Sequence, residues 1–365
     1  MRVDSIEARA LAIPFRITFA HASAERRFMQ SVWVEARSSH NTTGVGEGCP
    51  REYVTGEGLA SALAFIARHR DEWCAAIDGV ESLVARVQAN RARIDANPAA
   101  WCAVELALLD CIGREASTSI EALLAMPPLD GTYRYTAVIG DGPVAAFDAQ
   151  LARYVALGFR DFKIKLSGDA GRDRSKVRAL SRAGVSPSSV RADANNRWKT
   201  PAEAIAHLAA LDWTFFAIEE PLAAGDYAGM RDIARTLQVP IVLDESATRV
   251  CQLDGLGENP RHWIVNLRIS KMGGLVRSLE IARRARDLGL RLIVGAHVGE
   301  TSVLTRAALA IATFARDILV AQEGAFGTHL LERDAVAPCL MFGPGGVLHA
   351  PPAHPGLGLA MMEGS

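Results

Sequence analysis

Acidic residues return at a near-fixed interval in the middle of this chain. Asp193, Glu219 and Asp244 stand 26 and 25 residues apart, and Arg268 follows Asp244 after 24. Each closes a short apolar segment: "SVRADAN", "FFAIEEP", "IVLDES" and "WIVNLRIS". Similar segments are "YRYTAVIG", "DFKIKL", "RLIVGAHVG" and "ILVAQEG", with amphipathic stretches such as "DAQLARYVALG" and "GLVRSLEIARRARDLG" between them. A strand and a helix every ~25–30 residues, repeated eight times, is the rhythm of a (β/α)8-type barrel in the α/β class. A doubly wound open sheet would need a Gly-rich phosphate turn after an early strand. "VIGDGPVAAF" holds only part of that pattern, so the barrel is the better reading.

Residues 1–130 follow another pattern. "SIEARALAIPF" and "QSVWVEARSS" are candidate strands with the polar segment "RITFAHASAERRF" between them. The Gly/Pro-rich loop "GEGCPREYVTGEG" leads into helical patterns such as "PAAWCAVELALLDCIGREA". This predicts an α+β capping domain over residues 1–130 and a barrel domain over 131–340. The Gly/Pro-rich tail, 341–365, is expected to fold back on the cap.

Composition narrows the function classes. Of 365 residues, 49% are hydrophobic and 22% charged, and the formal net charge of -1 implies neither a nucleic acid nor an acidic membrane as partner. No apolar run approaches the ~20 residues of a membrane span, and the N-terminus lacks a signal-peptide core. The six cysteines are scattered without metal-ligand spacing, which suits free thiols in a reducing cytoplasm.

Side chains alternate along a strand, and polar residues at the C-terminal ends of barrel strands open onto the site. Lys163 and Lys165 therefore share one face, as do Arg191, Asp193 and Asn195. Three successive strands deliver Asp193, Glu219 and Asp244 to one mouth. Grouped buried carboxylates repel, so they call for a cation; the all-oxygen donor set suits Mg²⁺. The plainer alternative is that these acids form ion pairs with Lys163, Lys165 and Arg191.

As an ordered set, "KIK", "ADAN", "IEEP", "LDES" and "SKMGG" resemble the enolase superfamily, specifically its muconate-lactonizing branch. The resemblance covers nearly the whole chain. It implies Mg²⁺ held by Asp193, Glu219 and Asp244, and chemistry that begins with removal of a proton α to a carboxylate. It also implies that Lys165 is the base and Lys163 its electrostatic partner, in a homo-oligomer acting on a small carboxylate. Stabilising the enediolate is what makes so weak a carbon acid accessible to a protein base.

Two departures from the branch bear on the reaction. Its second lysine, on the sixth strand, is matched by Arg268, which is a poor base but a good fixed cation. Lys271 falls on the other face, in the "SKMGG" turn, where a structural role is the expectation. The Asp-x-Asp pair that grips a substrate ammonium in dipeptide epimerases is replaced by Gly324-Ala325-Phe326, with Glu323 adjacent. Both departures point to a one-base lyase, dehydratase or cycloisomerase. An epimerase or racemase of N-acyl amino acids or dipeptides, its proton returned by Arg268 or His297, is the alternative. A non-catalytic carboxylate-binding homologue is a third reading, against which the retained acids and lysines argue. His297 is a candidate general acid or pocket wall, and Glu300 a candidate contact for the catalytic cations. Asn195 and Glu323 are further candidate substrate contacts, with Arg26 and Tyr53 from the loops of the cap. His69 and His207 sit in helical patterns and are assigned to packing.

Overall fold

The computed structural model describes residues 2–21 and 24–362, with the side chains of residues 17–26 outside the description. Arg26 therefore lies outside the described side chains.

An antiparallel three-stranded sheet opens the chain, with Ser31–Ser38 between Val3–Leu11 and Thr43–Gly48. The polar segment between the first two strand signals is itself paired, Pro14–His21 against Ala24–Phe28. The strand Thr43–Gly48 carries glycine at every second position, 44, 46 and 48. Those glycines face the buried helix Pro98–Glu115, and a Cβ at any of them would fall on helix backbone at Cys111 and Ala107, at Ala103, or at Ala99. The helix lies directly on the sheet because nothing stands between them.

The second layer is an eight-stranded parallel sheet in sequential order: Ala137–Ile139, Phe162–Lys165, Val190–Asp193, Ala217–Glu219, Ile241–Leu243, Trp263–Leu267, Arg291–Val294 and Leu319–Gln322. The N–H of Thr136 donates to the carbonyl of Gln322 at 2.8 Å, joining the first strand to the eighth. Most strands read as continuous apolar runs because helices cover their outer faces. The expected eightfold alternation is incomplete. Among the described residues, 3-10 turns at Val250–Leu256 and Pro260–His262 replace a helix after the fifth strand. Only a short turn, Gly327–His329, follows the eighth.

The two layers share a polar seam. The carboxylate of Glu47 accepts from Thr301 N–H at 3.0 Å and Thr301 Oγ1 at 2.6 Å, and Glu105 accepts from Val276 N–H at 3.0 Å. Ser270 Oγ accepts from Cys49 N–H at 2.7 Å. The tail pairs Val347–His349 with Thr132–Arg134, and Leu357 N–H reaches Asp110 on the cap helix at 2.7 Å.

Candidate active site

The second to sixth strands end in one polar mouth. Parallel register sets Lys165 beside Asp193 and Asp193 beside Glu219. Lys163 is buried, with Nζ 2.7 Å from Glu323 Oε2, 3.0 Å from Glu219 Oε2 and 3.9 Å from Asp193 Oδ2. Burial disfavours its charge, yet Glu219, Glu323 and Asp193 outweigh burial and hold the ammonium protonated. Lys165 is the more exposed of the two and donates to Asn195 Oδ1 at 2.5 Å and Asp193 Oδ2 at 3.1 Å. Asn195 holds its place in the left-handed region, φ +47°, where asparagine is tolerated. Its N–H bonds Asp193 Oδ1 at 3.0 Å.

The three acids differ electrostatically. Burial raises the Asp193 carboxyl, but Lys165 and Lys163 bring it below its ordinary value. Burial also raises Asp244, which Arg268 and Lys271 then pull well below the usual carboxylate range. Glu219 stays pushed up to about 7, because burial and the charges of Asp193, Glu323 and Asp244 outweigh Lys163. Among the described residues, no group of three acid, histidine or cysteine side chains forms a ready coordination set. Each carboxylate is instead held by a cation.

Arg268 precedes the short helix Ile269–Met272 and binds Asp244 through Nη2, with Glu219 Oε1 at 3.7 Å. Burial opposes its charge, but Asp244, Glu219 and Glu245 raise its pKa further above the ordinary arginine value. Lys271, expected in a structural turn, also reaches the site. Its buried Nζ donates to Asp244 Oδ1 at 2.8 Å, Asp244 O at 2.6 Å and Asn266 O at 2.7 Å. Strand alternation misled here because the strand ends at Leu267 and the helical turn brings Lys271 back over the mouth.

Several expected contacts resolve differently. Glu323 does not face outward to a substrate ammonium; it turns into the barrel, to Lys163 and to Arg191 Nη2 at 3.3 Å. Arg191 lies one pleat below the mouth and pairs with Asp161 at 3.0 Å rather than with Asp193. An alternating string of charge therefore crosses the barrel from Asp161 through Arg191, Glu323, Lys163, Glu219, Arg268 and Asp244 to Lys271. The Glu300 carboxylate accepts from His297 N–H at 2.6 Å and lies within electrostatic range of Arg268.

His297 is buried, and neither ring nitrogen has a hydrogen-bond partner among the described residues. Burial, then Arg268 and Arg51, hold its pKa well below the ordinary imidazole value, so the ring is neutral. Tyr53 is 49% exposed on the cap segment Glu52–Thr55, within electrostatic range of Arg268. Sequence reading missed Glu220, whose carboxylate accepts from the N–H groups of Asp244 and Ser246 at 2.7 and 2.8 Å. The doubled acid in "IEEP" was its only trace.

The chain matches the enolase C-terminal domain-like family over residues 146–365. It is 27% identical over 321 residues to the hydrophobic dipeptide epimerase of Enterococcus faecalis, covering 87% of this chain and 89% of that protein. The N-succinyl-L-Arg/Lys racemase of Bacillus cereus is 23% identical over 341 residues, with 88% and 87% covered. Among solved structures, the dipeptide epimerase of Methylococcus capsulatus complexed with Mg and L-Arg-D-Lys superposes with a TM-score of 0.83 at 26% identity, over 99% of this chain and all of that one. The family match spans more than half of the chain, and the barrel agrees with it. This chain belongs to the enolase C-terminal domain-like family, in the mandelate racemase and muconate-lactonizing branch of the enolase superfamily.

Proposed function

We propose that this enzyme is a Mg²⁺-dependent epimerase or racemase that moves the proton α to the carboxylate of a dipeptide or N-acyl amino acid. The observation that carries the reading is Lys165, an amine at the mouth beside Asn195 and Asp193, backed by a Lys163 locked in its charged form. Dipeptide and N-succinyl amino acid substrates of the relatives support the substrate class.

Asp193, Glu219 and Asp244 would hold the ion. The fit rests on their all-oxygen donors and on Glu219, whose carboxyl is raised to about 7 by burial and its neighbours' negative charge. Ion binding competes with Lys165, Lys163 and Arg268 for the same oxygens. When bound, Mg²⁺ supplies positive charge where the substrate carboxylate gathers negative charge. Lys165, in its neutral form, takes the α-proton on one face. Lys163 stays protonated and stabilises that developing charge. Arg268 holds its proton too firmly to return one. We assign His297 to the opposite face, where it returns a proton only from its imidazolium form, the proton being taken up from solvent, and Arg268 anchors the anionic substrate. Asn195 orients Lys165, while Tyr53 and Arg26, both from the cap, help select the rest of the substrate.

The test is incubation in deuterated water with Mg²⁺, using L,L-dipeptides and N-succinyl-L-amino acids. Inversion with one deuterium at the α-carbon is expected. Loss of about 10²–10⁴ in rate should accompany Lys165→Ala, the range typical of a positioned proton carrier. The second reading, a one-base elimination or cycloisomerisation, is favoured by Arg268 itself. A product lacking the leaving group or closed into a ring, with no inversion in the panel, would establish that reading instead.

A further inference from the structure

Outside the metal site the molecule contains a second buried polar knot, and it closes on the strand that carries Lys165. Lys176, on the helix Ala170–Arg182, is 1% exposed. Its Nζ donates to the backbone carbonyl of Lys165 at 2.7 Å, to Asp141 Oδ1 at 2.8 Å and to Asp173 Oδ1 at 3.0 Å. Asp173 is buried as well. It accepts from Ser167 N–H at 2.9 Å, Ser167 Oγ at 2.8 Å and Gly168 N–H at 3.0 Å. His207 Nε2, on the neighbouring helix Pro201–Ala209, completes that carboxylate at 3.1 Å and packs against Trp198.

These bonds converge on a short piece of chain, residues 165–168, from the loop after the first strand and from two helices. Burying an ammonium is costly unless its donors are met, and here all three are. A fully satisfied buried network fixes local geometry more firmly than apolar packing does. The Lys165 carbonyl fixes where that residue's side chain leaves the strand, and hence where its Nζ meets Asn195 and Asp193.

We propose that Lys176, braced by Asp141 and Asp173, is the positioning residue of the proton carrier, setting the reach of Lys165 without touching substrate. This rests on the reading of Lys165 as the group that takes the α-proton. His207, assigned to packing from its helical pattern, is then the outermost brace of the same knot.

The test is Lys176→Met in the full-length protein, read by crystallography, calorimetry with Mg²⁺ and α-proton exchange of the same dipeptides and N-succinyl amino acids. The Lys165 amine is expected to leave Asn195 by about 1 Å, a misplacement of the size that costs up to about 100-fold in rate. kcat for exchange should fall about 10- to 100-fold, with KM and Mg²⁺ affinity within about twofold of the parent enzyme. Lys165 found still on Asn195 would overturn the proposal, as would Mg²⁺ affinity or KM changing in parallel with kcat. If the parent exchanges none of the panel, the functional reading fails, and the position of Lys165 in the variant still decides this one. Should Lys176→Met not fold, Asp141→Asn, at the partly exposed end of the knot, is read the same way with the same outcomes.

Discussion

In the function proposed above, Arg268 and His297 divide between them what a single lysine would do on the sixth strand. The guanidinium is fixed to Asp244 and Glu219, while burial and Arg268 favour the neutral imidazole, and neither ring nitrogen is hydrogen-bonded among the described residues, Nδ1 lying 3.8 Å from Glu300 Oε1. If His297 serves the second face, His297→Gln stops inversion in deuterated water but leaves washout of the α-proton from the Lys165 face, as NMR of the recovered substrate would show. Arg268→Lys places an amine on that second face. In the His297→Gln background it should restore inversion to within about 10- to 100-fold of the parent, since a well-placed proton carrier contributes on that scale. Inversion unaffected by His297→Gln would remove the imidazole from the mechanism. At this scale Lys163, Lys165, Asp193, Glu219, Asp244 and Arg268 were legible because strand alternation and spacing fix their direction. Lys271 and Glu323 were not. One sits past the strand end on a helical turn, and the other answers to partners on distant strands that no local pattern encodes.

The cap sheet shows how an element can be specified by what it omits. Glycines 44, 46 and 48 allow a strand and the helix Pro98–Glu115 to touch backbone to backbone. Gly46→Ala pushes a methyl onto Ala103 and Ala107, so the helix must lift or the strand must bend. Overpacking of this kind costs on the order of 1–3 kcal/mol, read as a lower urea midpoint with an unchanged slope. Of the alternating glycines in "TGVGEG", Gly46 and Gly48 fell within the Gly/Pro-rich loop read from "GEGCPREYVTGEG", because glycine speaks against strand by propensity. The missing helices after the fifth and eighth strands were hidden for the opposite reason. The spacing of strand ends stays regular whatever fills the interval.

Across the whole molecule, cap and barrel are joined by buried carboxyls whose pKa is displaced. Glu47 and Glu105 both rise to about 7 from 4.5, burial being the largest cause, against hydrogen bonds from Thr301 and Ser31 or from Val276 and Trp101. A folded pKa above the unfolded one means that the protonated form favours the fold. Their contribution is complete below about 4.5 and is lost as pH rises through about 7, on the order of 3 kcal/mol for each group. Glu47→Gln removes one titrating group from the seam. The difference in unfolding free energy between pH 5 and pH 8 should therefore be smaller in the variant than in the parent, and an equal difference would show that Glu47 is not responsible. Within the barrel, the alternating string from Asp161 to Lys271 constrains the site in another way. Each inner member is counted on by two neighbours, so a residue there can change its chemistry but not its sign without stranding a buried partner. Position 268 is free to exchange an amine for a guanidinium, and with it one kind of proton traffic for another, yet a neutral side chain there would leave Glu219 and Asp244 with one cation too few.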